Sequence, residues 1–236
     1  MDAMNNVQWP QSNALSTAIG VCNPGFQGAP QRACEASGSW ATTITGSCIS
    51  IKCAAETLFQ NAAWPSTNAG SSAEGTCVTG YSGTPVRACL ITGLWASSVS
   101  PACSQNLCSG VTFGNANWPA NTPSMTIATG TCVAGYSGTP SRACNADGTW
   151  AESITNPCVQ LFCPSAQQND ASWPHTAAGT PSVEGVCVPG FSGTPTRGCD
   201  LNGNWQSVTV PCTRNRCDAV TEGYANWPAA DSLTSV

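Results

Sequence analysis

The stretch Gly75-Thr76-Cys77-Val78-Thr79-Gly80-Tyr81-Ser82-Gly83-Thr84-Pro85-Val86-Arg87-Ala88-Cys89 decides how this chain is read. It occurs four times with small changes, the other copies starting at Gly20 (GVCNPGFQGAPQRAC), Gly130 (GTCVAGYSGTPSRAC) and Gly185 (GVCVPGFSGTPTRGC). Each copy is followed by a Gly-x-Trp and then by another cysteine. A recurrence at fixed period means an array of small units rather than one large core.

The cysteines give the period. Counted as first to fourth within a unit, first to second is 24 residues, second to third 12, third to fourth 14 (13 in the last copy), and fourth to the next first always 5. Three units carry all four cysteines, at 53–103, 108–158 and 163–212. The segment 1–48 lacks its first cysteine, and 217–236 holds only a first, Cys217. Units of this size bury too little apolar surface to offset chain entropy comfortably, and disulfides are the usual remedy. Zinc fits the residues less well, because there is one histidine, His175, no Cys-x-x-Cys pair and one constant cysteine set per unit. The sixteen cysteines therefore imply an oxidising compartment, and neither a metal nor a cofactor is expected.

Composition removes other classes. Charged residues make up 8% of the chain and the net charge is -5, so the basic footprint of a nucleic-acid binder is missing. No stretch approaches the ~20 apolar residues of a membrane helix. Residues 1–20 have neither a basic start nor an apolar run, so no signal peptide is read there, and the chain is expected to be a mature product or a piece of something longer. One histidine, no repeated carboxylate pair, no nucleophile motif and no phosphate-binding glycine loop argue against an enzyme.

Short strands fit the pattern better than helices. Gly and Pro recur every few residues, Thr-Cys-Val and Val-Cys-Val runs are strand-like, and Ser-Gly-Thr-Pro reads as a turn. Trp40, Trp95, Trp150 and Trp205 follow the Gly-x signal, while Trp9, Trp64, Trp118, Trp173 and Trp227 each precede proline. The simplest role for both sets is core packing. A carbohydrate-binding platform is the sharper alternative for the Trp-Pro set. Arg32, Arg87, Arg142 and Arg197 are the one regular charge. They read as exposed strand residues or local salt-bridge partners, with an inter-unit contact as the functional alternative. The four-residue connectors 49–52, 104–107, 159–162 and 213–216 are not Gly/Ser-rich linkers, and their equal length predicts a similar rotation at every joint, hence a rod or shallow superhelix.

Gly-x-Cys-x-x-Gly-aromatic, then Cys, then Gly-x-Trp, then Pro near the last Cys resembles the sushi family, also called complement control protein modules. Gly75, Cys77, Gly80, Tyr81, Cys89, Gly93, Trp95, Pro101 and Cys103 carry the resemblance in one unit, and their equivalents carry it in the others. It implies an all-β, elongated tandem array of small disulfide-rich β-sandwich modules. It also implies disulfides first to third and second to fourth: Cys53–Cys89, Cys77–Cys103, Cys108–Cys144, Cys132–Cys158, Cys163–Cys199, Cys187–Cys212 and Cys22–Cys48. Spacing alone leaves three connectivities open for four cysteines. The chain departs from the family in a short second-to-third segment, in the Trp-Pro element, and in Gly46-Ser47 where other units have proline.

Cys34 and Cys217 are left over, one of third type and one of first type. Either their partners lie in a longer array, or Cys217 of one chain pairs with Cys34 of the next to give a head-to-tail filament, since such a heterologous contact need not close. The expected role is a structural subunit or segment of an extracellular filament, appendage or surface coat, with an adhesion or recognition stalk for protein or glycan ligands as the alternative. Asn-x-Ser/Thr acceptors are absent. The Gly-Thr-Pro threonines Thr84, Thr139 and Thr194 are candidate O-glycan sites.

Overall fold

The computed structural model describes residues 6–231. The first five residues of the 1–48 segment and the last five of 217–236 therefore lie outside the described residues. Among those described, every regular element is a β-strand and none is a helix, so no helix is long and apolar enough to cross a membrane. The fold is all-β and disulfide-rich, with sheets of two or three antiparallel strands.

The chain divides into two compact units. One holds the chain up to Asn106 together with Ala146–Gly148, and the other holds Leu107–Asn145 and the chain from Thr149 onward. In the second unit the repeat that starts at Cys108 shows how the sequence builds a core. Val111–Phe113 and Ala116–Trp118 form a hairpin around Gly114-Asn115, both at positive φ (61° and 60°). That is the two-residue loop whose twist matches the strands, and it needs residues that tolerate the left-handed region. Thr131–Cys132 adds a third strand on the far side of Ala116–Trp118. Ala116 and Trp118 are buried beside Cys158, with Cys132, Tyr136, Trp150 and Ile154 packed around them.

This packing explains a glycine that the motif repeats. A Cβ on Gly130 would lie 3.0 Å from the Trp118 ring, and one on Gly75 would lie equally close to Trp64. The indole of the Trp-Pro tryptophan rests on the backbone of the Gly-x-Cys strand, which only glycine leaves bare. The glycines at this position donate their N–H to the carbonyls of Pro85, Pro140 and Pro195, which are fully buried.

Seven disulfides, each inside one repeat, join Cys22–Cys48, Cys53–Cys89, Cys77–Cys103, Cys108–Cys144, Cys132–Cys158, Cys163–Cys199 and Cys187–Cys212. In each of the three complete repeats the order is first to third and second to fourth. The first-to-third bridges are the deepest, with Cys53, Cys108 and Cys163 wholly buried.

The connectors are themselves strands. In the first unit Ile49–Ser50 pairs back with Phe26–Gln27, and Lys52–Cys53 pairs forward with Thr67–Asn68. In the second unit Val159–Gln160 pairs back with Tyr136–Ser137, and Phe162–Cys163 pairs forward with Thr176–Ala177. Such a joint has no free linker residue. The first repeat differs in one element: Trp40–Thr45 is a six-residue strand on Gln31–Cys34, where later repeats keep only isolated bridges.

Candidate functional site

The repeated arginine sits where no isolated charge would be stable. Arg87, Arg142 and Arg197 are 5%, 7% and 2% exposed. Each sits among the two tryptophans of its repeat, whose rings are tilted against each other with centroids 5.7–6.0 Å apart. The reading of these arginines as exposed strand residues is thus corrected. Alternation of the extended chain gives the reason: Arg87, in the strand Val86–Ala88, stands two residues before the bridged Cys89, which is buried.

Three kinds of partner make the burial tolerable. Arg87 donates from Nε to the Ala96 carbonyl at 2.6 Å and from Nη1 to Glu56 Oε2 at 2.6 Å, so a local salt bridge does exist in this repeat. Its guanidinium also lies over Phe59, 3.7 Å from the centroid. Arg142 keeps the carbonyl bond, to Ala151 at 2.5 Å, and the ring, Phe113 at 4.3 Å, but makes no salt bridge among the described residues. Arg197 has neither. Its Nη1 donates to Gln168 Oε1 at 3.2 Å, Nε and Nη2 are buried without a partner, and its Cζ moves in to 3.9 Å from Trp205 and 4.2 Å from Trp173. Burial pushes Arg142 and Arg197 below the usual arginine range, and both remain cations.

Three of the five Trp-Pro tryptophans are core residues. Trp64, Trp118 and Trp173 are 2–4% exposed, and their indole N–H groups donate to the carbonyls of Phe59, Phe113 and Gln168. Rings this buried offer no face to a sugar, so the carbohydrate-platform alternative is overturned for these three. Trp227 is half exposed. The Gly-x-Trp set is anchored too, Trp95, Trp150 and Trp205 donating to the carbonyls of Ala54, Ser109 and Pro164.

Of the two unpaired cysteines, Cys34 is buried and Cys217 exposed. Thr84, Thr139 and Thr194 are all exposed, each beside its buried proline. Among the described residues no group of His, Cys, Asp and Glu side chains could hold a metal ion. A shallow hollow of about 540 Å³ in the second unit is lined by Gly179, Pro181, Asp200, Leu201, Asn202 and Gln206. Its acid is already engaged. The backbone N–H of Asn204, and then that of Asn202, holds the Asp200 carboxyl below the usual carboxylate range.

The architecture defines a class: tandem disulfide-stapled all-β repeats with a buried Trp–Arg–Trp seat. The chain is 33% identical over 214 residues to the sushi, von Willebrand factor type A, EGF and pentraxin domain-containing protein 1 of Rattus norvegicus, which covers 83% of this chain and 6% of that protein. It is 28% identical over 212 residues to the Mus musculus protein of the same name, with 84% and 6% covered. The chain thus spans about 6% of the length of the curated relatives it matches. No family model matches it. The repeats are sushi-like, and the names of these relatives together with seven disulfides point to an extracellular modular protein.

Proposed function

We propose that the chain is a structural segment of an extracellular filament, appendage or surface coat, built from disulfide-stapled repeats that bear load rather than catalyse. The observation that carries this reading is the joint. Connector strands pair backwards and forwards within each unit, so tension passes through backbone hydrogen bonds into repeats that are each closed by their own disulfides. Each bridge typically adds about 2–4 kcal/mol to its repeat. The segments 53–103, 108–158 and 163–212 act as the complete modules.

In this reading Cys34 and Cys217 connect the segment onward, either to a further stretch of repeats or to a second copy. The exposed Thr84, Thr139 and Thr194 carry O-linked sugars that cover a nearly uncharged surface. An intact mass equal to that of the bare polypeptide would remove the sugars from the proposal.

Non-reducing peptide mapping of the natural assembly tests the rest. Crosslinks from Cys34 and Cys217 to peptides outside these 236 residues are the expected result and mark a longer array. A Cys34–Cys217 crosslink between copies makes the filament head-to-tail and covalent. Free thiols at both, in a monomer that binds a protein or glycan ligand, would replace the load-bearing reading with an adhesion stalk.

A further inference from the structure

Successive repeats are not equivalent, and three independent positions alternate together. The third residue of the connector is Ile51, then Asn106, then Leu161, then Asn215. The residue two before the glycine of Gly-x-Trp is Ala36, Ile91, Ala146 and Leu201. The left-handed position near the top of each repeat holds Leu15, Gly70, Met125 and Gly179, with φ of 60°, 81°, 61° and 83°. We infer that the building period of this chain is two repeats, with a tight apolar joint inside each pair and an asparagine covering the connector that follows it.

The tight joint is visible in both units. In the first, Ile51 N–H donates to Gly25 O at 2.9 Å and Ile51 O accepts from Ala69 N–H at 2.8 Å. A Cβ on Gly93 would collide with Ile51 Cγ2, and one on Gly70 would sit 3.9 Å from Ile91 Cγ2. In the second, Leu161 N–H donates to Gly135 O at 2.8 Å and Leu161 O accepts from Ala178 N–H at 2.9 Å. Leu201 Cδ2 lies 3.8 Å from a Cβ on Gly135 and 3.1 Å from one on Gly179. Gly70 and Gly179 are thus the bare spots on which Ile91 and Leu201 rest. In repeats 1 and 3 the bulk is transposed: Ala36 and Ala146 are small, while Leu15 and Met125 take a backbone conformation that side chains disfavour and remain 82% and 66% exposed. Ile91 and Leu201, resting on their glycines, are 58% and 51% exposed.

The polar joint keeps the backbone bond and changes its cover. Asn106 N–H donates to Gly80 O and Asn215 N–H to Gly190 O, both at 2.9 Å. Within the first unit the Asn106 carboxamide accepts from Ser82 Oγ and donates to Ala146 O, each at 2.7 Å. Water can replace those bonds at little net cost, whereas it cannot replace an isoleucine contact.

Because the same backbone bond occurs at each connector, amide hydrogen exchange on the intact, fully oxidised chain reads the cover alone. Protection factors at Ile51 and Leu161 are expected to exceed that at Asn106 at least tenfold, a difference of about 1.4 kcal/mol. Asn106→Leu should raise protection at position 106 to the level of Leu161, and Ile51→Asn should lower it at position 51 about tenfold. Native disulfide maps and unchanged protection at Ala62 and Ala116 establish that the variants fold. Equal protection at the three connectors, or a folded Asn106→Leu chain with unchanged exchange there, would overturn the two-repeat period.

Discussion

Arg87 and Arg197 occupy the same place in their repeats and are kept there by different means. Arg87 has a carboxylate, a carbonyl and a phenyl face, and its tryptophans stand at 5.4 and 5.7 Å. Arg197 has one amide oxygen, and its tryptophans have closed to 3.9 and 4.2 Å. The sequence differences that separate them are small. Phe59 is replaced by Gln168, Glu56, which pairs with Trp64, is replaced by Ala166, which pairs with Trp173, and the segment from third to fourth cysteine is one residue shorter. Gly198 replaces alanine, and the Gln206 side chain folds onto the bare glycine. A buried cation therefore does not dictate its own partners. The seat between two indoles is the constant, and the remaining donors are met by whatever a repeat provides, or left unmet.

The comparison breaks first at the constant part. Trp64→Ala and Trp173→Ala should each destabilise their own repeat by about 3–5 kcal/mol, from ring loss and the cavity left behind. Amide exchange of the Ala62–Cys77 and Ala171–Cys187 strand pairs reads each loss separately. Unequal losses of more than ~2 kcal/mol would show that the seat is not shared.

Replacing the cation by an apolar chain of similar length should separate the two repeats. Arg87→Met strands Glu56 against an apolar wall and should cost about 2 kcal/mol, since the acid is partly exposed. Arg197→Met removes two unpartnered buried donors and should fall within about 1 kcal/mol of neutral. Thermal unfolding combined with repeat-resolved exchange checks both. A heavier loss at Arg197 than at Arg87 would mean that the indole faces do most of the holding.

Giving the fourth repeat the missing acid sharpens the contrast. Ala166→Glu should stabilise that repeat by about 1 kcal/mol, with the gain shrinking as salt is raised. A gain that ignores salt would point to packing rather than charge.

The smallest effect is one of pH. The folded Asp200 carboxyl lies below its ordinary value, held first by the Asn204 amide, so its contribution is present above the unfolded carboxylate range and fades as acid protonates it. Protection of the Asn202 and Asn204 amides, taken relative to the intrinsic exchange rate at each pH, should fall as the pH drops below that range. Asp200→Asn should exchange faster at neutral pH and lose the acid dependence. The equivalent second-repeat turn has Leu90 in place of the aspartate and should show no such change.

How much of this could be seen in the sequence depends on the distance over which the signal acts. Strand character and the repeat period are local properties, carried by Gly, Pro and cysteine spacing, and the all-β reading agrees with the structure. The connectivity could not come from spacing, because three pairings of four cysteines fit it equally. The arginine seat was legible in principle and was misread. Two or three strand residues give no alternation to measure, so a lone charge reads as solvent-facing. The register with the buried third cysteine, two residues on, carried the answer. Exposure of Cys217 and burial of Cys34 depend on neighbours distant in sequence, which no local pattern encodes.

The tilted tryptophan pairs have a consequence outside mechanics. Trp9–Trp40, Trp64–Trp95, Trp118–Trp150 and Trp173–Trp205 stand 5.7–6.0 Å apart at 43–51°. Two indole chromophores at that distance and tilt share their excitation, and the coupled pair gives a signed doublet in ultraviolet circular dichroism that separated indoles lack. Because the geometry is nearly the same four times, the doublets add. Their amplitude counts closed repeats, so the chain carries its own optical tally of how many are folded at any moment.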